Sequence, residues 1–170
     1  MKFINQKIGV FFWKLIVALP ANFQNVLANI LLFFLKNPNH KRNIFSRKNI
    51  DAAFPNLNEQ EKINLFNKNL NSMIRGIFDT GKAWFWNDSK INSLIKYEIF
   101  GLNKLIAAKG NLLIFKHSHH LELDSRILGM HCELYGVERV HNSSFMQKVQ
   151  SIGRLKGLNA LADKNSPITF

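Results

Sequence analysis

Two apolar runs near the start of the chain, Ile8–Leu19 (IGVFFWKLIVAL) and Val26–Leu35 (VLANILLFFL), constrain its fold more than any other feature. Each reads as a short apolar helix. Pro20 separates them, and Lys36 and Pro38 end the second. The first looks like the apolar region of a signal peptide, but Lys14 interrupts it and no small-residue cleavage site follows. Its 12 residues would span about 18 Å as a helix, against a hydrocarbon core about 30 Å thick. A simple crossing is therefore marginal. Lys36, His40, Lys41, Arg42, Arg47 and Lys48 follow closely. Residues 1–36 thus read as a membrane anchor with a basic skirt, each cation attracted to anionic headgroups by roughly 1 kcal/mol. The competing reading is a pair of core helices in a soluble bundle.

The 170 residues suffice for one domain, and 15 Phe with 3 Trp supply enough apolar area to exclude a disordered chain. The formal charge of +12 suits an anionic partner. Lys, Asn, Ile and Phe are abundant together, as a low-GC coding bias would make them, so the charge alone does not identify a function. A nucleic-acid-binding protein is the reading it would otherwise suggest, yet no helix-turn-helix, zinc or RNA-recognition motif is present. Cys132 is the only cysteine, which excludes an internal disulfide framework and a Cys-based zinc site. It reads as a packing residue.

Asn37-Pro38-Asn39 and Phe54-Pro55-Asn56 are breaks. Asn58, with Glu61 three residues on, forms a capping-box pattern. Ile63, Phe66, Leu70, Met73 and Ile77 then recur at steps of three and four, which predicts one amphipathic helix to about Trp86. The period changes in the second half. Leu112–Phe115, a short continuous apolar run after Gly110, reads as a buried strand. A helix over His120–Leu134, a strand over Val137–Val140 and a helix around Phe145–Ile152 complete a strand–helix–strand–helix rhythm. That rhythm implies an α/β domain with a largely parallel sheet.

The densest chemistry lies at Lys116–Arg126, KHSHHLELDSR, at the expected C-terminal end of the first strand. Ligands usually bind there in open α/β sheets. A His followed five residues later by a carboxylate can form a general-base pair, the carboxylate fixing the imidazole tautomer. Two registers satisfy the spacing, His117 with Glu122 and His119 with Asp124, and spacing alone does not choose. His117, His119, His120, Glu122 and Asp124 are also potential metal ligands, but neither HExxH nor a Cys/His spacing accompanies them. An incidental polar helix cap is the plainer alternative.

Three blocks resemble the lipid A biosynthesis lauroyl/myristoyl acyltransferases of Gram-negative bacteria. Arg47–Leu57 (RKNIDAAFPNL) is like the family's RN…FP segment. Asp79–Asp88 (DTGKAWFWND) is like its TG-x-AWFW-x-D segment. Gly110–Gly129 (GNLLIFKHSHHLELDSRILG) is like its G-x-LL…H-x4-E-L-x-x-R…G segment. Leu121-Glu122-Leu123 followed by Arg126 sets the register, so the resemblance selects His117 and Glu122 as the catalytic pair. Gly153-Arg154-Leu155 resembles a further segment whose Arg belongs to the family's active-site set.

The resemblance implies an α/β fold: an N-terminal apolar helical anchor, then part of a layered glycerolipid-acyltransferase-like domain over 37–170. It implies family members longer than this chain, their C-terminal half having no counterpart here. The reaction implied moves a fatty acyl chain from acyl carrier protein to a hydroxyl of a Kdo-bearing lipid A precursor, at the cytoplasmic face of the bacterial inner membrane. His117 would be the base, Glu122 its orienting carboxylate, and Arg126 and Arg154 substrate-binding groups. No cofactor, metal or nucleic acid is implied; an anionic membrane surface is. The rival reading is an inactive, membrane-associated remnant of such an enzyme. Trp84-Phe85-Trp86 could line an acyl groove, but interior packing is the preferred reading.

Overall fold

The computed structural model describes residues 2–107 and 110–163. The expected domain 37–170 therefore extends past the described residues at its end. The fold is mostly helical: α1 (Lys2–Ala18), α2 (Ala21–Leu35), α3 (Lys41–Ala53), α4 (Glu59–Phe85), α5 (Asp88–Leu94), α6 (Leu102–Ala107), α7 (Leu121–Gly129), β1 (Tyr135–Glu138), α8 (Ser144–Arg154) and β2 (Ala160–Asp163).

Helix α4 is the spine, with α1, α2, α3, α7 and α8 all packed on it. Its start is fixed as the sequence predicts. Asn58 Oδ1 accepts from the Glu61 amide at 3.0 Å, and Glu61 Oε2 accepts from the Asn58 amide at 2.8 Å. Phe66, Leu70 and Met73 are buried on its inner face together with Ile74 and Phe78, whereas Ile63 and Ile77 at the two margins stay exposed. Phe66 through Phe78 meet Val17, Ala28 and Ile50 in one core cluster. Ala83, Trp84, Trp86, Ile91, Leu123 and Ile127 form a second, with Trp13 of α1 packed against both. Gly81 makes the α1 crossing possible: an added Cβ would lie 2.6 Å from Trp13 Nε1 and from a Val17 methyl.

Buried amides close the turns between the first helices. Gln24 Nε2 donates to the Val17 and Leu19 carbonyls at 3.3 and 2.7 Å, and Asn43 Nδ2 donates to the Leu35 and Asn37 carbonyls at 2.7 and 2.8 Å. These carbonyls are left over at helix ends and need donors.

Two expectations are corrected. No described helix is long and apolar enough to cross a membrane. The apolar runs of residues 1–36 do form α1 and α2, but each lays one side on α4 and leaves Phe11, Phe12, Phe23, Phe33 and Phe34 exposed. The length argument wins over the composition argument: neither run sustains hydrophobicity long enough.

The second correction concerns Leu112–Phe115, which is not a strand. Leu112 and Ile114 are 89% and 91% exposed. A strand exists through its ladder, and the described sheet consists of β1 and β2 paired with each other alone, parallel, Tyr135 opposite Ala160 through Glu138 opposite Asp163. Helix α8 connects them in the expected strand–helix order. The layered sheet expected from the resemblance is thus represented by two strands.

Candidate functional site

Helix α7 begins at Leu121, placing Glu122 in its first turn beside α4 and α8. Two side chains converge on that carboxylate. Trp84 Nε1 donates to Glu122 Oε2 at 2.8 Å. Arg154 Nε donates to both oxygens at 3.0 and 3.1 Å, and Arg154 Nη2 makes a further short contact to Oε1. The Arg154 Nη1 group reaches Glu138 Oε2 at 2.7 Å. One guanidinium therefore bridges two carboxylates, the planar recognition that Lys could not provide. Gly153 lets α8 approach closely enough, since an added Cβ would run into the Trp84 side chain.

Glu138, at the end of β1, is 7% exposed. Its remaining acceptor capacity is met by Gln147, by Gln150 Nε2 at 3.0 Å and by Ser151 Oγ at 3.1 Å. Burial pushes its carboxyl up, but the hydrogen bonds from Gln150, Arg154, Gln147 and Ser151 outweigh it and hold it below the usual range. For Arg154, burial favours loss of the charge, and the contacts to Glu122 and Glu138 more than restore it. In the triad the Glu138 carboxylate and the Arg154 guanidinium thus favour each other's charged form.

A cavity of about 10 Å³ opens among Trp84, Glu122, Arg126 and Arg154, roughly the room one water needs. Arg126 is 4% exposed and points inward. It contacts Asp88 at the start of α5 and donates through Nη1 to the Lys156 carbonyl at 2.7 Å, while its Nε has no protein partner. Two of its donor groups thus tie α7 to the start of α5 and to the segment after α8.

The expected catalytic pair is not in contact. His117 is exposed on the segment leading into α7, and no hydrogen bond or ion pair joins it to Glu122. His119 and Asp124, the other register, are also exposed and not joined to each other. Burial lowers the His119 pKa, with His120, Arg42 and His117 adding to the effect. Burial raises that of Asp124, which nearby Asp79 reinforces and His120 opposes. Among the described residues, no group of His, Cys, Asp and Glu could hold a metal ion.

The imidazole that does find a carboxylate is His120, whose Nδ1 lies 2.7 Å from Asp79 Oδ2. Sequence reasoning missed this contact and missed Glu138. Asp79 and His120 stand 41 residues apart, so no local spacing joins them; their separate presence in two motif blocks was the only signal. Of Trp84-Phe85-Trp86, expected as interior packing, both Trp are buried and Phe85 half-buried, and the Trp84 indole N–H also touches Glu122.

Comparison with known proteins bears on what this cluster serves. The family model described as bacterial lipid A biosynthesis acyltransferase matches residues 2–169. A lipid A biosynthesis acyltransferase of Haemophilus influenzae is 31% identical over 159 residues, covering 92% of this chain and 51% of that protein. The lipid A biosynthesis lauroyltransferase of Escherichia coli is 30% identical over 142 residues, 81% of this chain and 44% of the relative. The palmitoleoyltransferase of the same organism is 29% identical over 130 residues, 74% and 42%. The chain spans about half the length of these relatives. No solved structure matches. A family match over nearly the whole chain, meeting in space at Trp84, Glu122 and Arg154, leads to one conclusion: the chain belongs to the bacterial lipid A biosynthesis acyltransferases.

Proposed function

We propose that the chain serves acyl transfer from the thioester of acyl carrier protein to a hydroxyl of a Kdo-bearing lipid A precursor, at the cytoplasmic face of the inner membrane. The observation that carries this reading is the convergence of three motif blocks on one carboxylate: Trp84, Glu122 and Arg154 come from separate blocks and meet within hydrogen-bond distance. In this reading His117, on the exposed segment just before α7, takes the proton of the acceptor hydroxyl. Glu122, held by Arg154, is its orienting carboxylate, a contact that the substrate-bound form has to make by drawing the His117 segment toward α7. Arg154 is the substrate-positioning group of this reading, whereas Arg126, expected to bind substrate, is buried and acts by anchoring α7. The exposed aromatic faces of α1 and α2, followed by Lys36, Lys41 and Arg42, rest on an anionic bilayer surface in the manner of an interfacial helix.

The test is acyl transfer by the purified chain in detergent, from acyl carrier protein to a tetra-acylated, Kdo-bearing precursor. His117→Ala and Glu122→Ala should each lower the rate by at least about 100-fold, the scale of lost general-base catalysis. His119→Ala and Asp124→Ala should be far milder. Absence of product from the wild-type chain, or an essential second pair, would overturn the reading. The separation of His117 from Glu122 favours one alternative, a membrane-associated remnant. Undiminished vesicle binding without any turnover would establish it.

A further inference from the structure

Apart from the Glu122–Arg154 cluster, a second polar constellation forms where the segment before α7 meets the middle of α4. Asp79 Oδ2 contacts His120 Nδ1 at 2.7 Å, while Asp79 Oδ1 is held by Lys82 Nζ at 2.7 Å. On the other side of the ring, His120 Nε2 lies 3.5 Å from Ser72 Oγ. Ser72 and Asp79 are seven residues apart on α4, about two turns, and so share a face. Gly76 sits between them. A Cβ there would fall 2.5 Å from the His119 carbonyl oxygen, so only a bare backbone lets the chain settle with His120 over both residues.

The order is hydroxyl, imidazole, carboxylate. A carboxylate only accepts, so in the neutral ring the Nδ1 hydrogen goes to Asp79 and the Nε2 lone pair is left for Ser72. A hydroxyl within reach of a base that a third group orients is the signature of an activated nucleophile. The 3.5 Å separation is at the long end of the range, as such contacts are before substrate tightens them. Ser72 is half-buried rather than sealed, and 40% of the His120 side chain is exposed, so a reagent can reach the pair. His119 and Asp124 are the other titratable groups beside the ring.

We propose that Ser72, His120 and Asp79 form a second acyl-transfer site, which accepts an acyl group from a thioester onto the Ser72 hydroxyl. Ser72 Oγ attacks the thioester carbonyl carbon and its proton passes to His120 Nε2. The C–S bond breaks, and the departing thiolate takes that proton as a free thiol. An ester on Ser72 remains. Water or an acceptor hydroxyl then attacks this ester, gives its proton to His120, and releases Ser72 as the proton returns to Oγ. The route uses neither His117 nor Glu122.

The probes are the decanoyl thioester of N-acetylcysteamine and a fluorophosphonate, each mixed with the full chain in detergent. Intact mass and peptide mapping read the adduct. One adduct mapped to Ser72 is expected, absent in Ser72→Ala. Its rate of formation should fall by at least about 100-fold in His120→Gln and fall also in Asp79→Asn. Ser72→Cys, which keeps a nucleophile, should restore the thioester adduct. No adduct, an adduct elsewhere, or wild-type labelling in His120→Gln would overturn the proposal. Because the readout is a mark on Ser72 rather than a lipid product, failure of the lipid A assay does not bear on it.

Discussion

Glu138 shows how much one residue carries. It holds the end of Arg154 that Glu122 does not, and it does so while buried. Glu138→Gln removes the buried charge of a half-buried triad and leaves part of the guanidinium without its counter-ion, so it should cost about 3 kcal/mol at most, read from urea unfolding. The pH dependence has a definite sign. The folded-state pKa lies below the ordinary value of a glutamate carboxyl. The stabilisation is therefore present above that value and lost as pH falls through the depressed one. Between about pH 5 and about pH 3 the wild-type chain should lose more stability than Glu138→Gln; parallel curves would refute this. Glu122 and Arg154 were legible in the sequence through their motif blocks. Glu138 was not, because a lone Glu in a four-residue strand gives no periodic signal. Nor was the Asp79–His120 contact, which exists only once α7 is docked on α4.

At the scale of elements, legibility followed locality. The start of α4 depends on residues three apart, and the sequence contains everything needed to read it. Asn58→Ala should accordingly cost about 1 kcal/mol, seen as a lowered Tm, with Asn58→Asp close to wild type. An unchanged Tm in Asn58→Ala would show that tertiary contacts, not the cap, fix that helix end. Strands are relations between segments and were read less well. Leu112–Phe115 has the composition of a buried strand and no ladder beside it. Ala160–Asp163, with no β-branched residue, has the composition of a helix. It is nonetheless a strand, because Leu134 and Asn159 exchange hydrogen bonds at 2.7 and 3.0 Å and align it with β1. The apolar character of α1 and α2 was legible, but what would cover it was not. That depends on α4, which follows them in the chain.

For the molecule as a whole, the bilayer contact proposed above rests on the exposed aromatics of α1 and α2. Phe11 and Phe33 are 58% and 65% exposed. Burying each in the acyl boundary should contribute about 1.5–3 kcal/mol. In co-sedimentation with anionic vesicles, Phe11→Asp with Phe33→Asp should weaken binding at least about 100-fold. Added salt alone should weaken it less, since screening acts on Lys36, Lys41 and Arg42 and not on the rings. Wild-type binding by the double variant would place the contact elsewhere on the molecule.

The central position of α4 has a consequence for biosynthesis. Helices α1 to α3 leave the ribosome first, yet the surface that receives their inner faces is α4, completed only at Phe85. At about 5–20 residues per second, the nascent chain presents Val17, Ala28 and Ile50 without a partner for a few seconds. During that interval both sides of α1 and α2 are greasy, and a bilayer or a chaperone can compete for them. Lipids present at the exit site should therefore change how much of the chain reaches its native form. The same lipids added after synthesis should meet only the outer rings.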